Sequence, residues 1–163
     1  MLIRKATSED SLSLGHVYCN SWKKGYKNII PQLFLDSLTS ENCAPKPERI
    51  NCNNNYIAEE NGSVIGLVNF GEARDKDAGN MGELRSIYVI PEFWGKGVSR
   101  ELFQAAVSEL EKSGYSGFYL WVLKENGRAR GFYEKMKMMC SGCERVITIG
   151  GKELVESKYI KKF

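Results

Sequence analysis

Between Leu84 and Leu102 an apolar, β-branched run ends at Pro91, and the pair Gly95 and Gly97 then opens an amphipathic stretch. The order is strand, glycine turn, helix, and it constrains the fold more than any other part of the chain. A helix start carries free backbone N–H groups at the positive end of the helix dipole, and residues without a Cβ let an anion approach them closely. Lys96 adds positive charge between the glycines. The turn therefore reads as a phosphate cradle or, in the blander alternative, as a tight strand-to-helix connection. Its spacing excludes two common nucleotide sites. A Walker loop needs Gly-x-x-x-x-Gly-Lys-Ser/Thr and the dinucleotide fingerprint needs a third glycine, whereas Gly97 is followed by Val98, Ser99 and Arg100.

The same residues resemble the acetyl-CoA signature of the GCN5-related N-acetyltransferases, a strand ending Val-x-Pro and then Arg/Gln-x-x-Gly-x-Gly/Ala. Val89, Pro91 and Gly97 match, while Trp94 replaces the Arg/Gln and Ser99 the final small residue. A second block, Leu120 to Lys135, resembles the family's strand, its Asn-x-x-Ala helix (Asn126, Ala129) and its Phe-Tyr-Glu-Lys sequence (Phe132 to Lys135). Without that resemblance, Phe132 and Tyr133 read as packed core aromatics. The chain departs from the family after this helix, where Met136-Lys137-Met138-Met139 stands in place of a Gly-Phe pair.

The resemblance implies acetyl-CoA as cofactor. Its diphosphate is expected on the turn formed by Trp94, Gly95, Lys96, Gly97, Val98, Ser99 and Arg100, and its pantetheine arm against the backbone of Ile87, Tyr88 and Val89. Asn126 is expected to hydrogen-bond that arm. Acyl transfer to an amine also needs a stabilised oxyanion, a protonated thiolate and a deprotonated nucleophile. By the same resemblance the Val89 N–H serves the first need, Tyr133 the second as general acid, and Glu83 the third through water, with a pKa expected to rise on burial. Glu83 also reads simply as a strand-end carboxylate in solvent. Trp22, Tyr26, Phe34, Glu72 and Asp75 are candidates to line the acceptor site, where aromatic and acidic groups suit a cationic amine.

Length and charge bound the rest. At 163 residues the chain suits one domain spanning 1–163, with enough buried surface to need no staples. A net charge of +3 with 26% charged residues does not argue for nucleic acid or a membrane as partner. The partners expected are acetyl-CoA and an amine acceptor, with the protein a monomer or homodimer. No apolar run approaches the ~18 residues of a spanning helix, and the polar N-terminus reads as cytoplasmic. The cysteines are odd in number, five, and read as reduced thiols. Cys140 and Cys143 have metal or redox spacing that Cys43 and Cys52 could complete, but a second close pair is lacking and no metal is expected. The single histidine, His16, reads as helix surface.

Along the chain, Leu2 to Lys5 reads as a strand, and Thr7 with Asp10 as a capping signal for a helix to about Lys24 that uses Leu12, Val17 and Trp22. Pro31 opens a short helix, and Thr39 to Asn54 reads as a loop or an irregular helix end. Strands around Asn61-Gly62 and Gly150-Gly151 form hairpins. The charged segment Ala73 to Gly79 is a loop. Val98, Leu102, Ala106 and Leu110 recur every four positions, predicting a helix to Lys112. Phe118 to Leu123 reads as a strand and Arg128 to Lys135 as a helix. The fold class is mixed α/β, by resemblance the acyl-CoA N-acyltransferase fold with a mixed sheet of about six to seven strands. The reading is an acetyl-CoA-dependent N-acetyltransferase acting in a ternary complex. Its competitors are a catalytically silent acyl-CoA-binding module of the same fold, against which Tyr133 argues, and a thiol or metal protein built on Cys140 and Cys143.

Overall fold

In the computed structural model, which describes residues 1–163, the strands are β1 (Leu2–Lys5), β2 (Asn55–Glu60), β3 (Ser63–Glu72), β4 (Gly82–Val89), β5 (Gly117–Leu123), β6 (Met139–Ile149) and β7 (Lys152–Lys162). The helices are α1 (Ser11–Gly25), α2 (Gln32–Asp36), α3 (Ser40–Cys43), α4 (Val98–Lys112) and α5 (Gly127–Lys135). One sheet of order β1-β2-β3-β4-β5-β7-β6 contains all seven strands. Every neighbouring pair is antiparallel except β4 and β5. Both hairpin turns have two consecutive residues with positive φ, Asn61 and Gly62 (51° and 76°) and Gly150 and Gly151 (57° and 79°), as the right-handed twist of the flanking strands demands.

Alternation along the strands divides the core. Ala58 and Val68 pack beneath Leu102, Ala106 and Leu110 of α4, while their neighbours Ile57 and Leu67 pack against Leu14 and Val17 of α1. The four-residue apolar period therefore seats α4 on one face of the sheet and leaves the other to α1. The C-terminal half of α1 joins α2 and the β6–β7 hairpin in a separate cluster around Cys19, Leu35 and Leu154.

Three local expectations change. Leu12 is 56% exposed, because α1 begins only at Ser11 and its inward stripe runs through Leu14, Val17 and Ser21 instead. Within Thr39 to Asn54, Thr39 and Asn42 form a reciprocal capping box that starts α3, a role that Glu or Gln fills more often. Gly15 admits this short helix against α1, since a Cβ there would collide with the Ser40 carbonyl. Finally, β6 starts at Met139, well before the hairpin. Lys137, at φ 63°, turns the chain out of α5, and the ladder resumes as an exposed edge strand with a bulge between Cys140 and Glu144.

Candidate functional site at the splayed strands

The two parallel strands that carry the sequence motifs separate. They pair only at Gly82 with Phe118 and Glu83 with Tyr119, so from Leu84 onward β4 and β5 diverge. Ile90 N–H donates to the Ile65 carbonyl of β3, on the side of the chain away from β5. By strand alternation, Ile87 and Val89 then turn their backbone groups toward the gap. The Val89 carbonyl there accepts from Ser21 Oγ at 2.9 Å and from Trp94 Nε1 at 2.6 Å. These bonds tie α1 and the glycine turn to the end of β4.

At the mouth of the gap, Gly95 (φ 77°) and Gly97 (φ 88°) hold left-handed backbone conformations, and a Cβ on either would meet open space. No side chain caps α4. The backbone N–H groups of Gly95, Gly97, Val98 and Ser99 have no acceptor in the protein, so a helix of 15 residues points four free donors into a groove of about 680 Å³ between α4 and α5. That donor set suits a diphosphate. Ile87, Trp94, Gly95, Gly97, Val98, Ser99, Arg100 and Tyr133 all line this groove. Lys96 does not. Its ammonium lies 4.8 Å from the ring centroid of Phe93, which does line the groove.

Past the groove lies a chamber of about 70 Å³ bounded by Ser21, Tyr26, Tyr88, Val89 and Asn126. Asn126 is buried, and its Oδ1 accepts from the Ala129 N–H at 3.1 Å as the cap of α5, which leaves its NH2 group without a bond to the protein. On the α1 face the chamber meets a cavity of about 110 Å³ that shares Tyr26, Ile87 and Tyr88 with it and Tyr133 with the groove. Tyr133 thus occupies the wall common to groove and cavity. Burial, reinforced by the nearby Tyr88 phenol, pushes the Tyr133 phenol far above its ordinary pKa, so its proton is retained throughout the physiological range.

One residue without a sequence signal joins the groove. Arg128, in the first turn of α5, stacks on Trp94 with its guanidinium carbon 3.5 Å from the ring centroid. It lines both groove and chamber and has no ion-pair partner. Partial burial lowers its pKa, as for a cation taken from water without compensation. The aromatic surface it stacks on is the residue that departs from the family signature.

Glu83 differs from expectation. It is 1% exposed, yet it lines neither groove nor cavity. Arg74 binds both carboxylate oxygens, at 2.9 and 2.6 Å, and the Arg74 backbone N–H donates a third bond at 3.0 Å. Burial alone would raise its pKa, but the Arg74 bonds outweigh burial and hold it below the ordinary glutamate range. Glu72 and Asp75 also stand apart from the cavity. Glu72 is exposed at the end of β3. Asp75 is engaged by Lys158 at 2.8 Å and by the Trp121 indole at 3.0 Å. Trp22 and Tyr26 line the cavity, whereas Phe34 sits at its edge, close to Trp22 (6.3 Å between centroids) and against Gly150 of the hairpin turn.

The cysteines are dispersed: Cys19 is buried in α1, Cys43 ends α3, Cys52 is exposed, and Cys140 and Cys143 flank the bulge of β6. No group of three or more His, Cys, Asp or Glu side chains is arranged to hold a metal ion.

Comparison with known proteins agrees with this geometry. The profile of the acetyltransferase (GNAT) family matches residues 21–138. An uncharacterized N-acetyltransferase of Bacillus subtilis, YuaI, is 32% identical over 125 residues, covering 76% of this chain and 72% of its own. The spermidine N(1)-acetyltransferase of Thermoplasma acidophilum is 26% identical over 160 residues, 96% of each chain. Among solved structures, the PaiA N-acetyltransferase of T. acidophilum in complex with coenzyme A superposes with a TM-score of 0.75 at 23% identity, covering 99% of this chain and 98% of that one. The putative acetyltransferase yncA of Salmonella typhimurium with its cofactor acetyl-CoA gives 0.74 at 20% identity, over 99% and 92%. A strand-and-turn motif, a splayed pair of strands and these likenesses thus converge: the chain belongs to the GNAT family and is an acetyl-CoA-dependent N-acetyltransferase.

Proposed function

We propose that the acetyl group passes to a primary amine held in the cavity on the α1 face, with Tyr133 as the acid that protonates the departing thiolate. The observation that carries this reading is the position of Tyr133 in the wall shared by groove and cavity. Acetyl-CoA brings the acyl group as an activated thioester; the chain has to bind, align and move protons. The free amides of Gly95, Gly97, Val98 and Ser99 hold the diphosphate, with Arg128 supplying the charge that Trp94 lacks. The Asn126 NH2 group and the backbone of Ile87 and Val89 hold the pantetheine arm as a further strand would be held. The Val89 N–H, turned to the gap, is the donor for the developing oxyanion.

Tyr133 makes no hydrogen bond within the protein, so its O–H is free to donate, and its raised pKa keeps it protonated until a strong base such as a thiolate forms beside it. Glu83 serves in this reading as the anchor of the 73–79 loop. An ion-paired carboxylate of lowered pKa outside the cavity makes a poor proton acceptor, so the amine enters as its free base. In this reading the enzyme works in the cytoplasm as a monomer or homodimer; no helix is long and apolar enough to cross a membrane.

The test measures thiol release from acetyl-CoA with a panel of amines for the parent and Tyr133→Phe. Turnover should fall in the variant while the acetyl-CoA-induced rise in melting temperature stays. Full turnover by Tyr133→Phe with every donor removes Tyr133 from the mechanism.

A further inference from the structure

The cavity on the α1 face is small, about 110 Å³, room for three or four water-sized groups at ~30 Å³ each. Its access to β4 depends on an irregularity. The β3–β4 register shifts between Asn69 and Phe70, which pair with Ser86 and Leu84 and leave Arg85 extra. Leu84 and Ile87 therefore both pack under α4, while Arg85 and Ser86 both line the cavity on the other face. Regular alternation forbids that arrangement, and a bulge is a recognised way to re-aim a side chain beside an active site.

The charges around this cavity are matched on one side only. Asp75 is engaged by Lys158 at 2.8 Å and Arg145 at 3.7 Å, Glu156 by Arg145 at 2.7 Å, and Glu83 by Arg74. The one carboxylate in the cavity lining, Glu156, is thus already paired and does not stand free for the second ammonium of a polyamine. Donors, by contrast, remain. Arg85 rests its Nη atoms on the carbonyls of Phe70 and Glu72, at 3.4 and 2.8 Å, yet its Nε–H is shut off from solvent and has no partner. Trp22 Nε1 is also buried and unbonded; it leans toward the Tyr88 phenol, enough to offset part of the burial that raises the Tyr88 pKa, without completing a hydrogen bond. Buried donors left unpaired are costly, and a guanidinium with an unpaired Nε–H edge matches a planar carboxylate once a small shift of the side chain opens that edge to the cavity it lines.

Resting on the transfer reading given above, we infer that the acceptor is a small free amino carboxylate, its amine at the Tyr133 end of the cavity and its carboxylate recognised by Arg85. The acidic group in the lining, Glu156, is spent on Arg145, and the unused capacity of the wall is hydrogen-bond donation. In the reaction the amine nitrogen forms a bond to the acetyl carbon as the C–S bond breaks. The thiolate takes the Tyr133 proton, and the proton lost by nitrogen goes to solvent, which reprotonates Tyr133.

The experiment compares small amino acids, their carboxamides, spermidine and short peptides as acceptors for the parent, Arg85→Gln, Arg85→Lys and Tyr133→Phe. The acetyl-CoA-induced melting shift serves as the check that each variant is folded. Binding of the amino acid is read separately from quenching of the tryptophans that line the cavity. The parent should prefer a carboxylate over its own carboxamide by at least about 100-fold in kcat/KM and bind it measurably. In Arg85→Gln this ratio should collapse toward one through KM, and Arg85→Lys should restore part of it. A parent that prefers spermidine or a peptide, or a ratio that survives in a folded Arg85→Gln, overturns the inference. Acetylation without any preference for the carboxylate removes the inference but leaves the role of Tyr133, whereas undiminished turnover in Tyr133→Phe removes that role first. Failure to acetylate any member of the panel removes both.

Discussion

The groove under α4 and the cavity on the α1 face meet at Tyr133, yet they are made in different ways. The groove is assembled largely from two short stretches of chain, and its anion-binding capacity lies in backbone: free amides, glycines at positive φ, and strand edges left unpaired by the splay. The cavity draws side chains from α1, β4, β5 and the β6–β7 hairpin, and its character lies in how those side chains pair. The groove can therefore tolerate Trp94 and Ser99 in place of the commoner residues, since the amides remain. The cavity has no such reserve. Ion pairing decides whether an acidic residue belongs to it or to the scaffold, as Asp75 illustrates with Lys158 and Arg145.

The largest effect should come from attacking the backbone site. Gly97→Glu places a Cβ where φ is 88° and a negative charge at the proposed diphosphate site, a combination of like charge and backbone strain costing on the order of several kcal/mol. Titration calorimetry should show acetyl-CoA affinity reduced on the order of a thousandfold. Unchanged affinity would mean that the groove is not the diphosphate site.

Next comes Tyr133→Phe, with turnover expected to fall by roughly a hundredfold at intact cofactor binding, as for a lost general acid. The deficit should shrink with acyl donors whose leaving thiol is more acidic. The pH profile carries the same message with a definite sign. Because the folded-state pKa of Tyr133 is raised, its acid form persists as pH rises. The parent rate should climb with the free-amine fraction of the acceptor, with no decline below about pH 10, the ordinary tyrosine pKa. A falling limb near pH 8 would assign the acid elsewhere.

Arg128→Gln should act more mildly, weakening coenzyme A by about tenfold, within the range for a hydrogen bond to a charged group. It should also reduce the salt dependence of binding while leaving pantetheine, which lacks the diphosphate, unaffected. Equal losses for coenzyme A and pantetheine would show that Arg128 acts by packing on Trp94 alone.

Smallest in catalysis, within a few-fold, should be Glu83→Gln, whose effect is on stability. The depressed pKa of Glu83 means that its pair with Arg74 stabilises the fold fully above the ordinary glutamate pKa and ceases to do so as pH falls through the lowered value. Thermal denaturation should show the parent losing its advantage over Glu83→Gln in that acidic window. A variant that is as stable as the parent at pH 7, but whose turnover recovers only at high pH, would restore Glu83 as a base.

Much of the groove was legible because its parts are neighbours in sequence. Gly95, Gly97, Asn126 and Tyr133 fall within two motifs, and the apolar period of α4 assigns that helix to the sheet. Lys96 is not among the groove-lining residues and instead lies 4.8 Å from the ring centroid of Phe93, a placement that spacing along the chain does not carry. Glu83 reads from sequence either as a base whose pKa would rise on burial or as a strand-end carboxylate in solvent, and the structure shows it buried with its pKa held down. Its position near the start of a strand was readable, but Arg74, nine residues earlier on a loop with no periodicity, was not a visible partner.

The sequence by itself determined the strand–turn–helix order, the two hairpin turns and the family, because these depend on short-range backbone chemistry: glycine at positive φ, the two-residue and 3.6-residue periods, and the capping box of Thr7 and Asp10. Tertiary structure alone decided which charges are spent and which are free. The β-bulge turns Arg85 into the cavity, Arg128 lies against Trp94, and Asp75 and Glu83 are neutralised by cations distant in the chain or in an irregular loop. Such pairings are set by where separate elements happen to meet, and no local pattern of residues encodes that distance.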